Sequence, residues 1–154
     1  MDRVLAGLDS AIRAALVGVV GVMVAVVFAQ VVARYGLNAS IPWADEIARL
    51  GFVAMVFFGI SVAVRARAHI GITLLADALP GPARVLLRRL VLGVCGALSA
   101  LVAWEGAVIA AEQWDERMIS LDLSSGWFLV PVIAGMAVSA LHFLAAAFGP
   151  VEAA

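Results

Sequence analysis

Three carboxylates near the end of the third apolar segment are the residues best placed for chemistry. Glu105 lies inside the apolar stretch, and Glu112 and Glu116 follow at seven and eleven residues, which predicts one stripe on a continuous helix. Polar groups inside a bilayer are costly, so such a stripe suggests either a proton or cation path or a packing contact. We favour packing, because no carboxylate continues the path inward, and the sequence leaves open whether Glu105 pairs with Arg34, with Arg49 or with a group on a partner chain.

Two histidines and one cysteine are the other candidates for chemistry. A bis-histidine haem between His69 and His142 is conceivable, but His69 follows two arginines and is expected at the membrane interface, where a haem would be exposed. His142 is expected to be a hydrogen-bonded packing residue. Cys95 is the single cysteine, which excludes an internal disulfide or a CxxC pair. The sequence therefore predicts no catalytic residue, metal site or cofactor.

The composition places these residues in a membrane protein. Of the 154 residues, 65% are hydrophobic and 14% are charged, and the mean hydropathy is +1.11. These values are typical of membrane proteins. The net charge of −1 gives no reason to expect nucleic acid as a partner. We predict one all-α membrane domain, residues 1–154, with four transmembrane helices at about 14–33, 43–65, 85–111 and 127–148.

The ends of these segments set further expectations. The run 14–33 is longer than the apolar region of a signal peptide, so we expect an uncleaved membrane helix. Residues 70–79 combine an apolar face with polar positions, which fits either a short interfacial helix or a plain loop. Arg84 and Arg88 lie one turn apart on one face at the start of the third helix, where they could contact anionic membrane lipid.

The arginines predict the orientation. The N-terminal segment and the second connection hold seven arginines, including Arg65, and the other two connections hold three. The positive-inside rule then places both termini in the cytoplasm.

The opening of the second helix and two sets of small residues have structural explanations. Trp43 suits the membrane–water boundary, and Glu46 complements the positive helix end and could pair with Arg49 three residues later. Small residues at spacings of three and four allow helices to approach closely, either within the chain or against a partner. These small residues are Gly59 and Ala63 in the second helix, and Gly96, Ala100, Ala103, Ala107 and Ala110 in the third.

The order of these motifs resembles the DctQ-like small membrane subunits of TRAP transporters. That family has an Arg-aromatic end to helix one, a Trp-x-x-Glu-x-x-Arg opening to helix two and an Arg-x-x-x-His-Ile close. The matching residues are Arg34-Tyr35, then Trp43, Glu46 and Arg49, then Arg65, His69 and Ile70. The run Ser120-Leu121-Asp122-Leu123, with Gly126-Trp127 and Pro131, resembles the entry to the family's last helix.

The resemblance implies a tripartite secondary transporter in the bacterial inner membrane. A periplasmic binding protein would deliver an organic acid, often a dicarboxylate or sialic acid, and a large membrane subunit would carry it inward with sodium. The small subunit would brace the large subunit's scaffold and help to dock the binding protein. Two alternatives are a small homodimeric exporter, for which helix one offers only Gln30 as a polar group, and a four-helix haem or quinone protein.

Overall fold

A computed structural model describes residues 2–65 and 80–148 of the chain. The main elements of this described part are all helices. The helices are α1 (Asp2–Gly36), α2 (Ala44–Arg65), α3 (Gly81–Glu112) and α4 (Val130–Phe148), and a 3₁₀ turn (Ser125–Phe128) precedes α4. The prediction of an all-α membrane protein with four transmembrane helices is confirmed. The predicted interfacial helix at 70–79 and His69 lie outside the described residues.

All four helices are long and apolar enough to cross a membrane. The candidate spans are Ser10–Gly36, Ala44–Arg65, Gly81–Glu112 and Ser125–Phe148. Helix α3 has 32 residues and is therefore about 48 Å long, which exceeds a hydrocarbon core of about 30 Å. It must tilt or project beyond the bilayer.

The turn between α1 and α2 reverses the chain over a few residues. The N–H groups of Leu37 and Ala39 both donate to the carbonyl of Ala33. Asn38 has a φ of 54°, in the left-handed region that asparagine tolerates better than most residues. This tight reversal makes α1 and α2 antiparallel neighbours.

The helices form an open row in the order α1, α2, α4, α3. Extensive contacts join α1 to α2, α2 to α4 and α4 to α3, and no other pair of these described helices is extensively packed. The inner helix α4 contributes the most buried residues, whereas the most apolar window of α1 contains none. The two end helices, α1 and α3, therefore leave most of their surface uncovered.

Glycines allow the closest helix contacts. A Cβ on Gly135 of α4 would lie 2.5 Å from the carbonyl oxygen of Phe57 in α2. A Cβ on Gly51 of α2 would lie 3.1 Å from the Cβ of Met23 in α1. Ser139 is fully buried and its Oγ donates a 2.8 Å hydrogen bond to the carbonyl of Gly135. Small residues thus let the helix backbones of the row approach one another.

The predicted small-residue stripe of α3 does not pack as one face. Gly96 and Ala110 are buried, and a Cβ on Gly96 would meet Phe143 of α4 at 3.3 Å. Ala100 and Ala107 are exposed. The part of the stripe nearest α4 packs within the chain and the rest faces away from it. On α2, Gly59 has open space around it.

Candidate functional site

The start of α2 and the connection between α3 and α4 meet at one end of the row, which we call the Glu46 end. Glu46 lies in the first turn of α2, where a carboxylate complements the helix dipole, and it is 9% exposed. Its Oε1 accepts a 2.9 Å hydrogen bond from the backbone N–H of Ser120. Its Oε2 is buried and has no hydrogen-bond partner among the described residues. Glu46 therefore ties α2 to the α3–α4 connection.

The predicted surface pair between Glu46 and Arg49 is wrong. Glu46 points into the protein towards Ser120, whereas Arg49 is exposed. Sequence reasoning missed the contact with Ser120 because 74 residues separate the two positions. The only signal was that both residues fall in the motifs that carry the family resemblance.

Short-range bonds hold the α3–α4 connection in a fixed shape. The N–H of Met118 donates to the carbonyl of Leu123 at 2.9 Å, and the N–H of Ser125 donates to the carbonyl of Glu116 at 2.8 Å. Arg117 forms a 3.0 Å salt bridge with Asp122 and also donates to the Asp122 carbonyl. The salt bridge is exposed and contributes little stability by itself. The backbone hydrogen bonds and the contact with Glu46 therefore contribute most to the fixed shape of the connection.

Two tryptophans join this connection to the end of α3. The rings of Trp114 and Trp127 are 6.2 Å apart at 38°. A Cβ on Gly126 would lie 2.8 Å from the Trp114 ring and 3.0 Å from the carbonyl oxygen of Ala110. Both tryptophans are half-exposed. They have the apolar ring and polar N–H that suit a membrane–water boundary.

A second side-chain contact at the Glu46 end joins α1 to α2. The Nε2 of Gln30 donates a 2.9 Å hydrogen bond to Oδ1 of Asp45. Gln30 is the one polar group that the apolar run 14–33 offers, whereas a small exporter would need a carboxylate deep in helix one. Here it serves an interhelical contact beside the exposed aromatic residues Tyr35 and Trp43.

The prediction that three carboxylates form one helical stripe is wrong for Glu116. Helix α3 ends at Glu112, and Glu116 lies in the following connection, so only Glu105 and Glu112 share a helical face. Glu105 is exposed and forms no hydrogen bond or ion pair with Arg34, Arg49 or any other described residue. Both arginines are themselves exposed. Of the alternatives that the sequence left open, the described part of the chain therefore supplies neither arginine as a partner for Glu105.

Basic residues mark the opposite end of the row. Arg65 ends α2, and Arg84 and Arg88 lie in the first turns of α3, where all three are half-buried. Arg65 and Arg84 each take part in interactions with other groups.

His142 is buried in α4 and also interacts with a neighbouring group. Cys95 is half-buried in α3.

A groove formed by the described residues along α2 is apolar. It has a volume of about 410 Å³ and runs along α2 between α1 and α4, from Ile47 and Trp127 at the Glu46 end to Phe58. No charged or hydroxyl-bearing residue lines it. Such a groove offers nothing to hold an organic anion or a metal ion. Across residues 2–65 and 80–148, no three His, Cys, Asp or Glu side chains gather as a metal-binding cluster.

Comparison with known proteins gives a consistent result. The family model described as the DctQ component of tripartite ATP-independent periplasmic transporters matches residues 23–153. The sialic acid TRAP transporter small permease protein SiaQ of Vibrio cholerae is 32% identical over 110 residues, which cover 68% of this chain and 61% of that protein. The C4-dicarboxylate TRAP transporter small permease protein DctQ of Rhodobacter capsulatus is 31% identical over 116 residues, 74% of this chain and 50% of that protein. The matched part of this chain thus spans between half and two thirds of the length of these two relatives.

Proposed function

Because this chain belongs to the DctQ component family of tripartite ATP-independent periplasmic transporters, we propose that it braces a large membrane subunit and helps a periplasmic binding protein to dock. As a small permease subunit it is a multi-pass inner-membrane transporter component and not an enzyme. The open row of helices is the observation that carries the proposal. It exposes α1 and α3, and the groove along α2 is apolar. The substrate and ion sites then belong to the partner.

The transported substrate is proposed to be an organic acid taken up with sodium. The printed names of the two relatives refer to sialic acid and to C4-dicarboxylates, both of which are organic acids. The apolar groove of this chain provides no basis for choosing between them. Substrate specificity is therefore assigned to the binding protein and the large subunit.

Docking of the binding protein is proposed for the Glu46 end. Its exposed carboxylates outnumber its basic side chains, and Arg117 is already paired with Asp122. The fixed shape of the α3–α4 connection presents these charges without a large loss of flexibility on binding. A binding protein with a basic docking face would complement this surface. The exposed carboxylates of this connection are Asp115, Glu116 and Asp122, with Glu112 beside them at the end of α3.

Uptake by whole cells tests the proposal. We expect cells that express this chain with its large subunit and binding protein to accumulate an organic acid, sialic acid or a C4-dicarboxylate, when a sodium gradient is present. Omission of this chain should abolish uptake, because the large subunit would lack its brace. Matched cells with potassium in place of sodium provide the ion control. Uptake that persists at the same rate without this chain would contradict the proposal.

The orientation is proposed to be N-in and C-in, with the Glu46 end in the periplasm. Arginines cluster at the end opposite Glu46, as the positive-inside rule requires of the cytoplasmic side, where Arg84, Arg88 and Arg89 could contact anionic lipid. In a Cys95→Ser background, a membrane-impermeant maleimide should label Ser40→Cys in intact cells. It should label Gly81→Cys only after the cells are lysed. The reverse pattern would contradict this orientation.

A further inference from the structure

We propose that Glu105 is a contact through which α3 binds the large membrane subunit, and that the large subunit presents a positively charged side chain to this carboxylate inside the bilayer. The inference rests on the proposed function, because it names the chemistry by which this chain holds that partner. It follows from three observations: the position of Glu105 within the apolar stretch of α3, its exposure and its lack of a partner in the described chain.

Glu105 lies well inside the apolar part of α3. It is the only charged residue between Arg89 and Glu112, a stretch long enough to cross a hydrocarbon core of about 30 Å. Its neighbour Gly106 packs beside Ile133, beyond the first residues of α4. Glu105 is seven residues from the last residue of α3, which corresponds to a distance of about 10 Å along the helix axis.

The side chain of Glu105 points away from the rest of the row. Residues on the opposite face of α3, such as Gly96 and Ala110, are buried against α4 and the 3₁₀ turn. Glu105 is exposed together with Trp104 (69%) and Leu101 (54%). No described residue donates a hydrogen bond to Glu105 or forms an ion pair with it. A carboxylate on an end helix of the row therefore faces whatever surrounds the chain at this depth.

The charge decides what covers this face. A carboxylate facing hydrocarbon is costly, and residues of this kind in membrane helices face protein or water-filled cavities. The glutamate side chain is too short to reach water from this depth in the way that lysine or arginine does. A second copy of α3 at the same face would bring two carboxylates together, which is unfavourable. A cationic side chain from the large subunit satisfies the carboxylate and leaves the surrounding Trp104 and Leu101 to pack against apolar surface.

Retention of variants in the complex tests the proposal. This chain is co-expressed with a large subunit that carries an affinity tag, and the amount of this chain retained per large subunit is measured. We expect Glu105→Leu to lower retention at least about tenfold, since it leaves the partner's charge buried and unpaired. Glu105→Asp should retain most of the wild-type amount. Glu112→Leu is the matched control, because Glu112 lies on the same face at the end of the helix, outside the apolar stretch.

A folding defect is separated from a binding defect by the chain expressed alone. Glu105→Leu should unfold at the wild-type temperature in detergent, because Glu105 forms no hydrogen bond or ion pair with a described residue that would be lost. A photo-crosslinking amino acid at position 105 should form adducts with the large subunit in native membranes. Adducts formed only with lipid or only with a second copy would overturn the assignment.

The possible outcomes distinguish a failure of the proposed function from a failure of the assignment of Glu105. If wild-type chain is not retained with the large subunit, the proposed function fails and the assignment of Glu105 fails with it. If wild-type and Glu105→Leu chains are retained equally, the proposed function stands and the assignment of Glu105 is overturned. Selective loss with Glu105→Leu, together with unchanged stability of the isolated variant, supports both.

Discussion

Replacing Gly135 with alanine is expected to force α2 and α4 apart and to destabilise the protein by about 2 kcal/mol. This value is the cost of overpacking minus the gain from the higher helix propensity of alanine. A Cβ at this position would lie 2.5 Å from the carbonyl oxygen of Phe57 and 2.7 Å from its carbonyl carbon. These obstacles are backbone atoms, so no side-chain rotation relieves the clash. The α2–α4 contact is the main packing contact that joins α1 and α2 to α4 and α3.

Thermal unfolding in detergent, followed by tryptophan fluorescence, measures this effect. Gly59→Ala is the matched control, because a Cβ on Gly59 meets no atom within 4 Å although it lies on the partner helix α2. We expect the control to unfold at or slightly above the wild-type temperature and Gly135→Ala to unfold clearly below it. Equal unfolding temperatures for the two variants would show that the α2–α4 contact is not as close as described.

Replacing Glu46 with alanine is expected to release the α3–α4 connection from the start of α2. The hydrogen bond from the Ser120 N–H to the Glu46 carboxylate is the one side-chain bond that links these elements in the described chain. A hydrogen bond to a charged group contributes about 1.5–3 kcal/mol. If Ser120 exchanges its amide hydrogen by local opening, exchange should become about 10- to 100-fold faster. Glu46→Gln should retain most of the protection, because its side-chain carbonyl can still accept this bond.

Hydrogen exchange at Ser120 is the measurement that checks this prediction. Asp45→Ala is the matched control: Asp45 is the neighbouring carboxylate, but it is exposed and bonds Gln30 of α1 instead. We expect this control to leave exchange at Ser120 unchanged. Unchanged exchange in Glu46→Ala as well would mean that the internal bonds of the connection hold it without α2.

The number and type of the main elements could be predicted from sequence because each depends on local composition. A run of about 20 apolar residues must be helical in lipid, where every backbone polar group needs a partner. The same reasoning placed Glu116 on α3, and the structure ends that helix at Glu112. The residue at which a membrane helix ends is harder to predict, because a polar segment after the apolar run can either continue the helix beyond the bilayer or form a loop.

The contacts between elements could not be predicted in the same way. Nothing local indicates that Glu46 turns inward to a backbone amide 74 residues later, whereas pairing with Arg49 is the default for a spacing of three. The order of the helices in the row could not be predicted either, because small residues occur both on packed helix faces and on open ones. Gly96 packs against Phe143, but Gly59 has open space around it. Which face of a membrane helix is packed depends on its neighbours, since hydrophobicity does not distinguish lipid from protein.

The open row changes how the exposed residues of this chain are understood. In a water-soluble protein, an end helix with so little buried surface would indicate an incomplete fold. In a bilayer, lipid can cover its apolar side chains, so Leu101 and Trp104 require no explanation. Glu105 does, because lipid cannot satisfy a carboxylate. The charged exception on an apolar face is therefore more informative about a partner than the apolar face itself.

Purification of this chain from its native membranes tests the central claim most directly. With an affinity tag on this chain and mild detergent, the account predicts that a large membrane subunit co-elutes in equal amount. It also predicts that organic acid and sodium bind to this complex and do not bind to this chain purified alone. A stable monomer or homodimer that elutes without a larger membrane partner, and that transports a solute by itself in liposomes, would contradict the account.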